Sequence, residues 1–307
     1  MRAEIEAASK RIASHVRTTP ILHMETGAWG SEAQVVLKLE LLQHSGSFKV
    51  RGAFNRILSN EVPEAGVIAA SGGNHGLAVA YAARQLGYRA EIFVPEACPP
   101  VKVERLHSYG AEVTQVGANY GEALVASQAR AAETGALVVH AYDQPEVLAG
   151  QGTVGYELAR QAPELDTVLV AVGGGGLIAG IAGWFEGDVR VIGVEPESAP
   201  TLTAALKAGA PQDVAVGGVA VDSLGATRVG TRAFDVAQRF VERVVLVGDE
   251  DIRAAQRRLW NDLRLIAEPG GATAAAALLS GAYRPESGER VCVVVCGSNA
   301  DVQQIIA

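Results

Sequence analysis

The chain has 307 residues, 49% hydrophobic and 20% charged, enough for a large core in about two domains. Its net charge of -8 and the lack of any basic run argue against nucleic acid as a partner, and the charged start Met1-Arg2-Ala3-Glu4 lacks the apolar run of a signal peptide. Three cysteines, Cys98, Cys292 and Cys296, are an odd number with two in an apolar run, which points to a reduced, cytoplasmic protein.

In chain order, β-branched runs predict strands at Val35–Leu39, Gly66–Ala70, Ala90–Val94, Glu112–Val116 and Leu137–His140. Further strands are predicted at Thr167–Val172, Val189–Val194, Arg243–Val247 and Arg290–Val295. Helical patterns at Leu77–Leu86, Val101–Tyr109, Gly121–Glu133 and Pro145–Gln161 lie between them. Gly87 and Gly110 sit where helix C-caps belong, and Pro99-Pro100 suits a helix start. Thr167–Phe185 carries no charge, but its six glycines argue against a membrane helix. Alternating strands and helices predict an α/β fold of two open-sheet αβα domains with mainly parallel strands. The expected division is a small domain over residues 52–142 and a large, discontinuous one over 1–51 and 143–307.

Four segments carry candidate chemistry. Ser47-Phe48-Lys49-Val50-Arg51-Gly52 places one of only five lysines beside an aromatic ring at a predicted helix start. Desolvation there would favour the neutral amine, the form that attacks an aldehyde such as that of pyridoxal phosphate (PLP). Gly173-Gly174-Gly175-Gly176 joins a strand to a helix, so its backbone N–H groups and the helix N-terminus suit a phosphate. A plain tight turn, or a loose dinucleotide fingerprint in an oxidoreductase, are the competing readings of that run. Ser71-Gly72-Gly73-Asn74-His75-Gly76 also follows a strand and suits a carboxylate or phosphate, with Asn74 a donor to a ring oxygen; His75 alone reads best as a capping or packing residue. Cys296 ends the last strand, where ligands collect in open α/β sheets, and its thiol could meet a pyridine nitrogen; Cys292 reads as core. A Cys-x-x-x-Cys pair without neighbouring histidines is poor evidence for a metal.

Together these segments are similar to the fold-type II PLP enzymes, specifically the serine/threonine dehydratase and serine racemase family. The similarity runs almost end to end: Arg17–Pro20, Glu40–Ala53, SGGNHG at Ser71–Gly76, GQGT at Gly150–Thr153, GGGG at Gly173–Gly176, VEP at Val194–Pro196, EPGGA at Glu268–Ala272 and CGSN at Cys296–Asn299. The resemblance implies PLP in a cleft between the domains, held covalently by Lys49, with Phe48 beside it and Asn74 at the ring hydroxyl. It implies phosphate contacts from Gly173, Gly174, Gly175, Gly176 and Leu177, and Cys296 at the ring nitrogen. Ser71, Gly72, Gly73, Asn74 and His75 would hold the substrate carboxylate, and the released Lys49 amine would take the Cα proton.

The implied activity is elimination of water from L-threonine or L-serine, giving a 2-oxo acid and ammonia. A neutral thiol at the ring nitrogen would favour prompt elimination over a long-lived carbanion. Related racemases carry a serine where this chain has Gly72, so racemisation is disfavoured, though a racemase or a β-replacing synthase is the nearest alternative. Thr201 and Gly217 stand where some relatives place acids near Glu195, so no metal is expected. A homodimer without a C-terminal regulatory domain, bound to neither membrane nor nucleic acid, completes the expectation.

Overall fold

The computed structural model describes residues 1–30 and 32–306. Ten strands are present among them: β1 (Ile21–His23), β2 (Gln34–Lys38), β3 (Val67–Ala70), β4 (Ala90–Val94), β5 (Glu112–Gln115), β6 (Leu137–Val138), β7 (Thr167–Ala171), β8 (Arg190–Pro196), β9 (Arg243–Val247) and β10 (Arg290–Val294). They form a six-stranded sheet in the order β1-β2-β10-β7-β8-β9 and a four-stranded sheet in the order β5-β4-β3-β6. Every pairing is parallel except that of β1 with β2, where Ile21 lies opposite Lys38. The predicted strands are thus all present within a residue or two at most ends; β6 stops at Val138, and β8 runs on to Pro196. The short edge strand β1 has no alternation to reveal it and was not anticipated.

The apolar runs are continuous because parallel strands are covered on both faces. In the smaller sheet, Val67, Ala69, Ile92 and Val94 pack with Phe54 and Ile57 from the helix Lys49–Leu58 and with the helix Asn74–Leu86. Ile68, Ala70 and Phe93 face the other way, onto Ala123 of the helix Tyr120–Thr134. The larger sheet buries all of β7 and most of β10. No helix among the described residues is long and apolar enough to cross a membrane; Thr167–Phe185 is β7, a glycine turn and the helix Gly176–Phe185.

The helix Lys49–Leu58 joins the two halves. It packs against Asn74–Leu86 on the smaller-sheet side and against Pro145–Gln161 on the other. A Cβ on Gly150 would lie 2.6 Å from the Arg51 carbonyl oxygen, so the glycine permits the close helix crossing. The carboxyl ends of β3, β7 and β10 lead into Ser71–Gly76, Gly173–Gly176 and Cys296, and these meet beside Lys49.

Candidate active site

One cleft, of about 450 Å³ of atom-free space, brings Phe48, Lys49, Asn74 and Cys296 together with Gly173, Gly174, Gly175, Gly176 and Leu177. Lys49 is the first residue of its helix, and Lys49 Nζ donates to the Ala141 carbonyl at 2.8 Å and lies 5.2 Å from the Phe48 ring centre. Burial pushes its amine down to about 8, although Cys296 and Glu268 pull the other way. The segment before Lys49 is locked in place: the Phe48 N–H donates to the Cys296 carbonyl, Ser47 bridges to Gly297, and Ser45 adopts a left-handed φ of 56°.

The glycine run ends β7 and opens the helix Gly176–Phe185, whose first N–H groups have no carbonyl of their own turn to bond. Gly175 has φ +90°, and a Cβ on Gly174 would fall 2.3 Å from the Tyr142 ring. These N–H groups therefore line a cradle that side chains would fill, which fits a phosphate. Opposite, Cys296 Sγ donates to the Gly270 carbonyl at 3.5 Å, and burial drives its thiol well above the usual range. It presents a neutral group to the cleft, suited to an uncharged pyridine nitrogen. Asn74 Nδ2 donates to Glu268 Oε1. Burial raises the Glu268 carboxyl to about 7, against the Asn74 hydrogen bond and the Arg105 charge. A nucleophilic amine, an anion cradle, an amide and a neutral thiol are a donor set that fits PLP.

The loop after β3 is less uniform. Ser71 Oγ accepts from the Gly73 N–H at 3.2 Å, and the helix begins at Asn74. The first N–H groups of that helix have no carbonyl of their own turn, which suits a carboxylate, but the His75 side chain does not join them. His75 Nε2 donates to the Val139 carbonyl at 2.8 Å. Burial, with Lys49 nearby, pushes its imidazole down to about 3, so it is a neutral packing residue. A Cβ on Gly72 would lie 2.9 Å from Cys98 Sγ, so the space a side chain there would need is partly taken.

Tyr142, Ser223, Leu224 and Glu268 also line the cleft and were not singled out from the sequence. Only Glu268 carried a signal, through the EPGGA run; the others come from loops distant in the chain. Conversely, several segments that looked functional build the support. Arg51 is fully buried and donates to both oxygens of Glu40 and of Glu157 and to Thr153 Oγ1. Thr19 Oγ1 donates to Glu40, and Lys38 Nζ donates to Glu157 at 2.7 Å and to the Thr19 carbonyl at 2.8 Å. Thus Thr19, Glu40, Arg51 and Thr153, all from the recognised motifs, form one ionic anchor for the helix that carries Lys49. Glu195 accepts from the Leu202 and Thr203 N–H groups and caps the helix Thr201–Ala208. No cluster of three or more metal-ligating side chains occurs among the described residues.

The fold and this donor set define the class, a PLP enzyme built on two mainly parallel sheets. A family described as pyridoxal-phosphate dependent enzyme matches residues 12–297, and the chain belongs to that family. It is 40% identical over 306 residues to an L-threonine ammonia-lyase of Geobacter sulfurreducens, spanning 98% of this chain and 76% of that protein. Among solved structures it is similar to maize serine racemase, with TM-score 0.93 and 32% identity over 99% of this chain and 95% of that one. It is also similar to a threonine deaminase of T.th., with TM-score 0.91 and 36% identity over 97% and 98% of the two chains. The expected fold-type II architecture and PLP dependence both stand.

Proposed function

We propose that this chain is a PLP-dependent ammonia-lyase: it eliminates water from L-threonine or L-serine, and the released enamine tautomerises to an imine that water hydrolyses to 2-oxobutanoate or pyruvate and ammonia. The observation that carries the reading is the Lys49 amine, held near 8 in a cleft it shares with a polyglycine helix start, Asn74 and Cys296. PLP bound there would supply an electron sink that acidifies the substrate Cα–H and weakens the bond to the β-oxygen. Lys49 would hold the aldehyde, Phe48 would pack beside the ring, and Asn74 would bond its hydroxyl. The Gly173–Leu177 backbone would bind the phosphate.

The residues divide the remaining work. The Ser71–His75 backbone would fix the substrate carboxylate and so orient Cα toward Lys49. Lowering the amine from 10.5 to about 8 raises its neutral fraction near pH 7 by roughly a few hundredfold. That neutral nitrogen would take the Cα proton. A neutral Cys296 thiol at the ring nitrogen would leave it without a full opposing charge, which would favour early loss of the β-oxygen. Gly72 offers no second base, and the Cys98 thiol crowds its position, which supports elimination over racemisation.

The four strands of the smaller sheet fall within 67–138 and the other six outside it, supporting a small domain at 52–142 and a large one at 1–51 and 143–307. The helix carrying Lys49 begins just before that boundary and contributes Val50 to the small core. Three free thiols support a cytoplasmic setting, and we assign a homodimer by analogy with the family. The test is a 2-oxo acid assay over L-threonine, L-serine, D-serine and hydroxyaspartate with chiral analysis of residual serine. Purified protein should be yellow, and Lys49→Ala should be colourless and inactive. A wild type that takes up no PLP, or racemises serine faster than it forms pyruvate, refutes the proposal.

A further inference from the structure

The helix Pro100–Ser108, on the smaller-sheet side, touches the larger-sheet side at two points that the reaction above does not use. Lys102 Nζ lies 3.0 Å from Asp222, and one turn further on Arg105 Nη2 donates to Asn299 Oδ1. Asn299 Nδ2 donates in turn to Asn74 Oδ1 and, at 2.9 Å, to the Ser45 carbonyl. Asn74 Nδ2 then donates to Glu268 Oε1. The sense of this chain is dictated by chemistry. A guanidinium only donates, so Asn299 must show Arg105 its oxygen and give its nitrogen to Asn74. The Ser45 carbonyl only accepts and demands the same orientation. Asn74 must then offer its oxygen to Asn299 and turn its amide nitrogen toward Glu268 and the cleft.

We propose that Arg105, an exposed residue outside the cleft, is a positioning residue: through Asn299 it holds the Asn74 amide with its N–H groups toward the cofactor ring, and it does so only while the two sheet units are together. The proposal rests on the reading of Lys49 and Asn74 as cofactor-binding residues. Lys102, the other cation on this helix face, does not share the role, because it is paired with Asp222. The charge of Arg105 also reaches Glu268. That carboxyl is faced by the Asn74 amide, the Asn299 backbone N–H, Arg105 and Asp222, and across the cleft by Lys49 and Cys296. Among these, Arg105 opposes the rise that burial imposes. Removing Arg105 should therefore loosen Asn74 and keep Glu268 protonated to higher pH.

The test titrates apo-protein with PLP, reads its dissociation constant from the visible absorbance, and follows the pH midpoint of that band in the holoenzyme. Arg105→Ala should weaken PLP binding about three- to tenfold, the range for one lost hydrogen bond, and move the midpoint upward. Lys102→Ala cuts the neighbouring contact from the same helix face and should leave both quantities within about twofold. In an Asn299→Ala background, Arg105→Ala should have no further effect on PLP affinity. The inference is overturned if Arg105→Ala moves neither quantity, if Lys102→Ala reproduces both shifts, or if the Arg105 and Asn299 losses simply add. A wild type that binds no PLP is a different result, visible before any variant is made, and it counts against the proposed function.

Discussion

Replacing Arg51 with methionine tests whether the buried ionic anchor holds the Lys49 helix. Methionine fills most of the volume, so the loss is mainly electrostatic. Arg51 gives Glu40 two hydrogen bonds of 2.8 Å and Glu157 two of 2.7 and 3.0 Å. Without it Glu157 keeps Lys38, but Glu40, fully buried, keeps only the Thr19 hydroxyl and the more remote Lys38 charge. Stranding one partner of a buried ion pair costs about 3–5 kcal/mol, which at about 2–4 °C per kcal/mol lowers Tm by roughly 6–20 °C. The pH dependence gives a second check. In the native protein burial pushes Glu40 up, but Arg51, aided by Lys38 and Thr19, more than offsets it and leaves the carboxyl below its ordinary 4.5. That stability is present above 4.5 and is lost as pH falls through the lower folded value. In Arg51→Met the upward push dominates, so the variant is relieved by protonation. Urea unfolding of the apo-protein should show the full deficit at pH 7–8 and a smaller one near pH 5, and adding Glu40→Gln should restore at least about 1 kcal/mol at pH 7. A deficit below about 1 kcal/mol at pH 7, or one that widens on acidification, refutes the argument.

Gly174→Ala places a methyl group 2.3 Å from the Tyr142 ring, so the ring or the loop must shift. Overpacking of this kind costs about 1–3 kcal/mol; absorbance titration should show PLP binding weakened about 5- to 150-fold with the far-UV spectrum unchanged. Glu268, raised from 4.5 to about 7, contributes stability that is present below 4.5 and is lost as pH rises to 7. Glu268→Gln keeps an acceptor for Asn74, so the apo-variant should exceed wild type by up to about 3 kcal/mol at pH 8, with the gap closing by pH 4.5. Equal stability at both pH values would show that Glu268 ionises freely.

Much of the cleft was legible because its chemistry is local in the chain. Lys49 with its aromatic neighbour, the glycine run between β7 and its helix, and Cys296 at the end of β10 each combine a residue type with a strand or helix terminus. His75, read from its own residue type as a packing group, is one; only the resemblance placed it among the substrate contacts. What the sequence could not name is its partner: the ring bonds the Val139 carbonyl, 64 residues away in sequence. Tyr142 and Leu224 carried no signal, because they reach the cleft only through the packing of distant loops.

By itself the sequence determined the alternation of buried runs and helices, hence two covered parallel sheets, and the order of the segments that converge on Lys49. Periodicity and turn chemistry are properties of neighbours along the chain, so they survive without a fold. Only the tertiary structure decided that Arg51, two residues from Lys49, is an anchor and not a ligand, and that Asn74, Asn299 and Arg105 form one directed chain. Those assignments depend on which donor meets which acceptor across a crossing, and that is set by packing.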